Sequence, residues 1–318
     1  MKRKLIGLVL GALAVAGLVV AVIVGERSPQ APEGIVFPPP PGRARLAPAI
    51  ERLEVQREDA RVVLERTEGN DWRVRQPVQA PADPVAVAAV LDALGRLEST
   101  NTFPAPEAGP GGLKPYGLDE PRLTVLFWAG GERTRFVVGT PGGAGEAAAR
   151  RPAYVQVAGR AEIHTVAPEL LELLDRPPRQ FCDLRPCPHE PEEIVALSLR
   201  PRGQPKLVVN RAEEGWRVVE PPEAEASHEA VEQAVAALCD LRVLRYVDEA
   251  EPQACGLRPP ALVVEATTRG GQQLALRVGA PAEDREGARY AAREGDEAIF
   301  LLDAADVARL ARPLGEAP

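Results

Sequence analysis

The chain repeats one pattern of residues 144 positions further on. Trp72 stands in the run Asn-Asp-Trp-Arg-Val, and Trp216 stands in the run Glu-Gly-Trp-Arg-Val. The same offset relates four further pairs of apolar or proline positions: Ile50 and Ile194, Leu53 and Leu197, Pro77 and Pro221, Leu94 and Leu238. A chain of 318 residues has room for two domains of roughly 100–200 residues each. We therefore expect two similar domains in tandem.

Each repeat has the residue pattern of antiparallel strands around one helix. Short β-like runs between Ile50 and Val74 predict a three-stranded meander. Asp83 followed by Pro84 predicts a helix start, because Asp caps helix N-termini and Pro suits the first helical position. Ser227 takes the place of Asp83 in the second repeat. We predict an α+β fold with two tandem similar domains, each mostly antiparallel sheet with one main helix, preceded by a single N-terminal transmembrane helix.

The N-terminus has the features of a membrane anchor. Leu5 to Val24 is an uncharged run of twenty residues, which as a helix spans the roughly 30 Å of a bilayer core. The cationic Lys2-Arg3-Lys4 flank stays in the cytoplasm by the positive-inside rule. A cleaved signal peptide is the alternative, but it usually has a shorter apolar region and a small-residue cleavage site. We predict a single-pass anchor over residues 1–25 in the inner (cytoplasmic) membrane, with an extracytoplasmic or periplasmic body.

The rest of the chain divides into four parts by composition and repeat. Residues 26–49 are rich in proline and are predicted to be an extended linker that holds the body away from the membrane. A proline-rich docking motif is the alternative for this segment. Repeat domain 1 is predicted over residues 50–175, an inter-domain linker over 176–193 and repeat domain 2 over 194–314.

The charge of the chain excludes one class of partner. The formal net charge is −8, although the N-terminal flank is cationic. The acidic body repels nucleic acid and anionic lipid headgroups. We therefore expect no nucleic-acid partner.

Two short motifs, together with the strands that contain Trp72 and Trp216 and with the helix start, form a pattern that resembles a known protein family. They are the turn Tyr116-Gly117-Leu118-Asp119-Glu120-Pro121 and the strand end Val138-Gly139-Thr140-Pro141. Over most of residues 50–312 the chain resembles the domain of unknown function 4340 family. The second repeat departs from the turn motif, because Cys255-Gly256-Leu257-Arg258 replaces its first four residues.

The resemblance implies a location and a role. Members of the family look like single-pass, membrane-anchored extracytoplasmic proteins, often encoded beside ABC transporter subunits and gliding-motility-type auxiliary proteins. This implies a non-catalytic accessory protein of an ABC-type envelope transport complex, with a permease or auxiliary subunit as its membrane-protein partner. It supplies no catalytic residues and no cofactor. An envelope hydrolase that acts at the cell wall is the alternative. A spacer that binds wall polymer is disfavoured, because aromatic residues make up only 4% of the chain.

Four cysteines are candidates for disulfides: Cys182, Cys187, Cys239 and Cys255. An even number outside the cytoplasm suggests disulfides, and four cysteines allow three pairings. Since Cys239 and Cys255 have no cysteine counterparts in the first repeat, our hypothesis pairs Cys239 with Cys255 and Cys182 with Cys187. In the cytoplasm they would be buried thiols. A zinc site at Cys182, Cys187 and His189 is disfavoured, because structural zinc needs four ligands and only one histidine is near.

The sequence contains no recognisable catalytic motif. It has three histidines, His164, His189 and His228, and no Gly-x-Ser-x-Gly, His-Glu-x-x-His or phosphate-loop pattern. We therefore predict no catalytic, cofactor or metal residues. We interpret Trp72 and Trp216 as core anchors of their sheets rather than as platforms for a ligand.

Overall fold

The computed structural model describes residues 34–105, 112–140, 152–248 and 250–315. The predicted transmembrane anchor, residues 1–25, lies outside these ranges, as do residues 26–33 of the predicted linker. Within the described ranges, no helix has the length and the hydropathy needed to cross a membrane.

The first half of the chain forms a nine-stranded sheet. Its strands are β1 (Ile50–Gln56), β2 (Arg61–Arg66), β3 (Trp72–Gln76), β4 (Ala80–Pro81), β5 (Asn101–Pro104), β6 (Leu123–Ala129), β7 (Glu132–Gly139), β8 (Ala153–Val157) and β9 (Glu162–Val166). Their order in the sheet is β4-β3-β2-β1-β6-β7-β8-β9-β5. All neighbouring strands are antiparallel.

One face of this sheet packs against helix α1 (Pro84–Gly95), and the sequence alternation explains why. In β6 every second residue is buried, beginning with Leu123, so one face is apolar and the other is partly exposed. Helix α1 begins where we predicted, because the Asp83 carboxylate accepts hydrogen bonds from the backbone N–H groups of Val85 at 2.8 Å and Ala86 at 3.3 Å. The short helix α2 (Glu169–Leu174) ends this half.

The second half forms an eight-stranded sheet with two helices. Its strands are β10 (Ile194–Pro201), β11 (Leu207–Ala212), β12 (Gly215–Glu220), β13 (Arg245–Val247), β14 (Leu262–Thr268), β15 (Gln273–Pro281), β16 (Ala288–Arg293) and β17 (Ile299–Asp303). Helix α3 (His228–Asp240) follows β12, and helix α4 (Ala304–Leu310) follows β17. The strand order is β12-β11-β10-β14-β15-β16-β17-β13, and the neighbouring strands are antiparallel.

The two sheets have the same strand order once the short strand β4 is left aside. The first strand of each sheet carries an irregularity near its start, after Ile50 in β1 and after Ile194 in β10. The prediction of an α+β fold with two antiparallel sheets and few helices is therefore confirmed.

The segment predicted as an inter-domain linker, residues 176–193, is packed into both halves. Phe181 is fully buried, and its carbonyl accepts a hydrogen bond from Asp83 N–H at 2.8 Å. On the other side, the Leu184 carbonyl accepts from Val243 N–H at 2.8 Å. Most buried apolar side chains of both halves, together with those of this segment, form one continuous core.

The described part of the proline-rich segment is also packed rather than free, which corrects our expectation of an extended spacer there. Val36, Phe37 and Leu46 are buried. The Phe37 ring lies 5.3 Å from the Phe127 ring and 4.8 Å from the Phe136 ring. The prolines prevent helix, but they leave the apolar side chains between them free to pack onto the sheet.

Candidate functional site

The candidate site is an open, highly charged cleft on the face of the first sheet opposite helix α1. Its volume is about 1020 Å³. We call it the Arg57 cleft, and its lining residues are Glu54, Gln56, Arg57, Glu58, Asp59, Arg61, Glu120, Pro121, Arg122, Thr124, Leu126, Arg135 and Asp175. Three regions that are far apart in the sequence meet here: the β1–β2 hairpin, the end of the Tyr116–Pro121 turn, and the end of α2.

The floor of the cleft holds a buried carboxylate. Glu54 is 6% exposed and accepts hydrogen bonds from Arg61 at 2.5 Å and from Arg52 at 2.7 and 2.9 Å. Burial by itself would raise the pKa of Glu54, but the hydrogen bonds from Arg61 and Arg52 outweigh it, so the pKa is lowered from its usual value. Glu54 is therefore a fixed negative charge between two arginines.

One wall of the cleft is held together by Asp175. Arg57 donates to the carbonyl oxygens of Asp175 at 2.8 Å and Arg176 at 3.2 Å, and Arg122 Nε donates to the Asp175 carboxylate at 2.8 Å. The Arg57 side chain is only 16% exposed, so these contacts are largely shielded from water. They fix the start of the linker to the hairpin and to the strand that follows the motif turn.

The rim of the cleft carries charged side chains that take no part in the ion pairs of the floor and the wall. Arg135, Glu58 and Glu120 are exposed, and none of them forms an ion pair with another residue in the described parts of the chain. A rigid base with free charges of both signs suits the binding of a polar partner surface.

The motif turn that leads into the cleft is built on the contact of two glycines. Gly117 has φ +64°, a conformation that side chains disfavour, and a Cβ there would lie 2.9 Å from the backbone N of Thr140. A Cβ on Gly139 would lie 2.6 Å from the carbonyl carbon of Gly117 and would overlap the carbonyl oxygens of Tyr116 and Gly117. The turn and the strand end, found as separate motifs in the sequence, are therefore packing partners.

The second half repeats this arrangement. Gly256 has φ +66°, and a Cβ there would lie 2.9 Å from the backbone N of Ala280. A Cβ on Gly279 would lie 3.1 Å from the carbonyl carbon of Gly256. Ala280 N–H also donates to the Cys255 carbonyl at 2.9 Å. Thus the change from Tyr116 to Cys255 in the turn leaves the close glycine packing in place.

The other motif residues lie around the same turn. Tyr116 packs against Phe103 and Tyr154, with ring separations of 5.2 and 5.1 Å. Leu118 is buried, whereas Asp119 is exposed and does not line the cleft. Within this motif, only Glu120 and Pro121 reach the candidate site.

The two tryptophans occupy matching positions away from the cleft. Trp72 and Trp216 are partly buried against the core, and each lies beneath an arginine. Arg66 lies 5.1 Å from the centre of the Trp72 ring, and Arg211 lies 4.6 Å from that of Trp216. Trp216 Nε1 also donates to Glu232 at 2.9 Å.

All four cysteines are buried free thiols, so neither predicted disulfide is present. Cys239 lies opposite Cys187, with their sulfur atoms 3.9 Å apart, and not opposite Cys255. The structure therefore does not show the pairing that we predicted. That prediction compared the repeats only, and the folding of the linker onto α3 does not follow from such a comparison. Within the described ranges, no group of three or more His, Cys, Asp or Glu residues is arranged to hold a metal ion.

Sequence reasoning did not find a chain of hydroxyl groups that ends on a buried imidazole. Ser99 Oγ lies 2.9 Å from Thr102 Oγ1, which lies 3.1 Å from His164 Nδ1. His164 is 7% exposed, and its Nε2 has no hydrogen-bond partner among the described residues. Burial lowers its pKa; Glu162 opposes this effect and Arg160 adds to it.

Comparison with known proteins gives one match. The model of a family described as Domain of unknown function (DUF4340) matches residues 72–260, which is more than half of the chain. The chain belongs to the DUF4340 family. No curated protein and no solved structure matches it. The DUF4340 match begins in β3 of the first sheet and ends just before β14 of the second, so it includes the motif turn and the whole linker.

Proposed function

We propose that this DUF4340 protein is a membrane-anchored, extracytoplasmic accessory protein that binds a membrane-protein partner in an ABC-type envelope transport complex. The anchor is supported by the cationic N-terminus followed by the apolar run Leu5 to Val24. The transport association comes from the family resemblance. The Arg57 cleft is the part of the structure that supports a binding role.

The observation that carries the proposal is the contrast between the base and the rim of the cleft. At the base, Glu54 and Asp175 are held by arginines, so the surface keeps its shape before a partner arrives. At the rim, Arg135, Glu58 and Glu120 are exposed and form no ion pairs with described residues. Charges of both signs on a fixed surface favour one partner orientation and disfavour like-charged alternatives.

We further propose that the two sheets are copies of one domain and that only the first copy binds through this face. The shared strand order supports the duplication. In the register of the sheets, Ser198 faces Glu265 where Glu54 faces Leu126 in the first sheet. Glu265 pairs with Lys206 at 3.0 Å, so the second sheet carries one ion pair where the first carries an arginine cluster.

The alternative, an envelope hydrolase, has one observation in its favour, the pair Thr102 and His164. A hydroxyl nucleophile needs its histidine base oriented by a third group, usually a carboxylate. Here Nδ1 faces the hydroxyl, and Nε2 has no partner among the described residues. The pair therefore lacks the orienting group, and we favour the binding role.

The proposal is tested by purifying the tagged full-length protein from its own membranes in mild detergent and identifying what copurifies. We expect a membrane-protein component of an ABC-type transporter. The variant Arg135→Glu reverses a free rim charge and should lose most of this component. The matched control is Arg133→Glu, because Arg133 is exposed on the same strand but does not line the cleft.

Retention of the partner by the control and its loss from the Arg135 variant would support the cleft as the contact surface. Equal retention by both variants would reject the cleft. Absence of any transporter component from the wild-type preparation would reject the accessory function itself.

A further inference from the structure

Two buried thiols from different parts of the chain face each other between the linker and the second half. Cys187 is 1% exposed and Cys239 is 8% exposed, and their sulfur atoms are 3.9 Å apart. A disulfide bond is about 2.05 Å long, so the sulfurs need to approach by roughly 2 Å. Rotation of the two side chains is the motion that can bring them together.

The elements that carry these thiols are held at a fixed distance. Cys239 lies in the last turn of α3, and Cys187 lies in the linker between two prolines. Beside them, the linker is anchored to the segment after α3: the Leu184 carbonyl accepts from Val243 N–H at 2.8 Å, and the Asp183 carbonyl accepts from Tyr246 O–H at 2.6 Å. The pair is therefore a product of the fold rather than a chance approach of two mobile side chains.

The other two cysteines have different surroundings. Cys182 Sγ points to the carbonyl oxygen of Pro178, 3.7 Å away. Cys255 belongs to a separate small cluster with Leu257 and Ile299. Of the six possible pairs among the four cysteines, only Cys187 with Cys239 is therefore favoured.

The chemistry of the pair assigns different roles to the two sulfurs. The contact with Cys239 lowers the pKa of Cys187, and burial opposes this effect. The backbone of His189 and the Arg293 guanidinium lower the pKa further. The same contact between the sulfurs, together with burial, raises the pKa of Cys239. Cys187 is thus the sulfur that more readily becomes the attacking thiolate.

We propose that Cys187 and Cys239 form a disulfide that staples the linker to helix α3. The proposal rests on the extracytoplasmic location in the proposed function, because disulfides persist in oxidising compartments. The oxidant is a disulfide-bearing thiol oxidant that reaches the sulfurs late in folding, once they face each other and before the linker closes over them. The Cys187 thiolate attacks one sulfur of that disulfide and releases one thiol. The Cys239 thiolate then attacks the Cys187 sulfur and releases the second. The protein loses two electrons and two protons, and the oxidant becomes two thiols.

The staple would fix how the two sheets sit relative to each other. The linker also carries Phe181 in the shared core, and it begins directly after Asp175, which lies in the wall of the Arg57 cleft. A bond that holds the linker on α3 therefore limits separation of the two halves near the proposed partner surface. It also restricts the unfolded chain over the residues between positions 187 and 239, which stabilises the folded state.

The test is a peptide map of the full-length chain. The protein is purified in detergent, unfolded and reduced, and refolded with a mixture of reduced and oxidised glutathione. Free thiols are then alkylated, and the chain is digested without reductant for mass spectrometry. We expect one crosslinked peptide pair, Cys187 with Cys239, and alkylated Cys182 and Cys255. Any other pairing, or four alkylated cysteines, would overturn the proposal.

Alanine variants show whether the crosslink depends on these two cysteines or arises from misfolded chains. Cys187→Ala and Cys239→Ala should remove the crosslink, whereas Cys182→Ala and Cys255→Ala should retain it. For the wild type, the oxidised form should unfold roughly 5–15 °C above the reduced form, and this difference should vanish in Cys187→Ala. Alkylation in intact cells separates the two proposals: a bond that forms on refolding but is absent in cells would support the pairing and reject the extracytoplasmic location.

Discussion

The close packing of Gly117 and Gly139 predicts a graded loss of stability when a methyl group is added. Gly139 does not have positive φ, so an alanine there meets only steric overlap with backbone atoms, the nearest carbon being the Gly117 carbonyl carbon at 2.6 Å. Backbone atoms cannot turn away as a side-chain end can. Overpacking of this kind costs about 1–3 kcal/mol, and we expect Gly139→Ala to lie near the upper end, about 3 kcal/mol.

A matched control separates the free-energy cost of this steric overlap from the cost of placing an alanine in a left-handed backbone conformation. Gly131 lies on the hairpin before β7 with φ +82°, and a Cβ there would meet no atom within 4 Å. Gly131→Ala should therefore lose only about 1–2 kcal/mol for the left-handed conformation. Gly117→Ala combines positive φ with overlap at Thr140, so it should lose roughly the sum of the two effects, about 4–5 kcal/mol.

The assay is urea unfolding of the full-length protein in detergent, followed by the shift of the midpoint at unchanged slope. We expect the order of stability to be wild type, Gly131→Ala, Gly139→Ala and Gly117→Ala, from most to least stable. If Gly139→Ala were as stable as Gly131→Ala or more so, the turn and the strand end would not touch as described, and the structural reading of the family motif would be refuted.

Three further predictions follow from single contacts. The pKa of His164 is lowered in the folded state. The neutral imidazole therefore contributes to stability above the unfolded pKa of about 6.5, and this contribution is lost as the pH falls through the folded pKa. In wild type the urea midpoint should fall between pH 7.5 and pH 5.5, and His164→Gln should make this fall smaller. Arg73 bridges to Asp296 of the other half at 2.7 Å, so Arg73→Ala should increase hydrogen exchange at β3 and near Asp296, and unchanged exchange would contradict a role in holding the halves. Asp83→Ala removes two N-cap hydrogen bonds and should lower the unfolding free energy by about 0.5–2 kcal/mol in the urea assay, whereas Asp83→Asn should retain most of it.

The elements that could be predicted from the sequence are those that depend on residues close together in the chain. The start of α1 depends on Asp83 and Pro84, which are adjacent in the chain. The alternation in β6 likewise needs only neighbouring residues to define a buried face. Because both kinds of signal recur in the second half, the repeat offset predicted two similar sheets before any tertiary contact was considered.

The candidate site could not be predicted in this way. Arg57, Arg122 and Asp175 come from three separated turns, and only the folded sheet brings them within hydrogen-bond distance. The sequence did single out the turn that ends at Pro121, but its specificity as a motif reflects the packing of Gly117 more than the chemistry of the cleft. The motif therefore located the neighbourhood of the site without identifying the residues that form it.

The errors have a common physical origin in segments without regular structure. The described part of the proline-rich segment was taken for a spacer, yet Phe37 is buried between Phe127 and Phe136. Similarly, Cys187 was paired with its sequence neighbour, although the linker turns it toward α3. In both cases the position of the segment depends on the burial of apolar groups against residues that are distant in the sequence. Local hydrophobic periodicity does not predict such contacts.

Crosslinking mass spectrometry on native membranes can show whether this protein binds a transporter component through its first half. Each half contains one lysine, Lys114 beside the motif turn of the first half and Lys206 just before β11 in the second. An amine-reactive reagent therefore reports which half lies near a partner. We expect crosslinks from Lys114 to an ABC permease or its auxiliary subunit, with far fewer from Lys206. Crosslinks from Lys206 alone would contradict the assignment to the first half, and crosslinks only within the protein itself would contradict the accessory function.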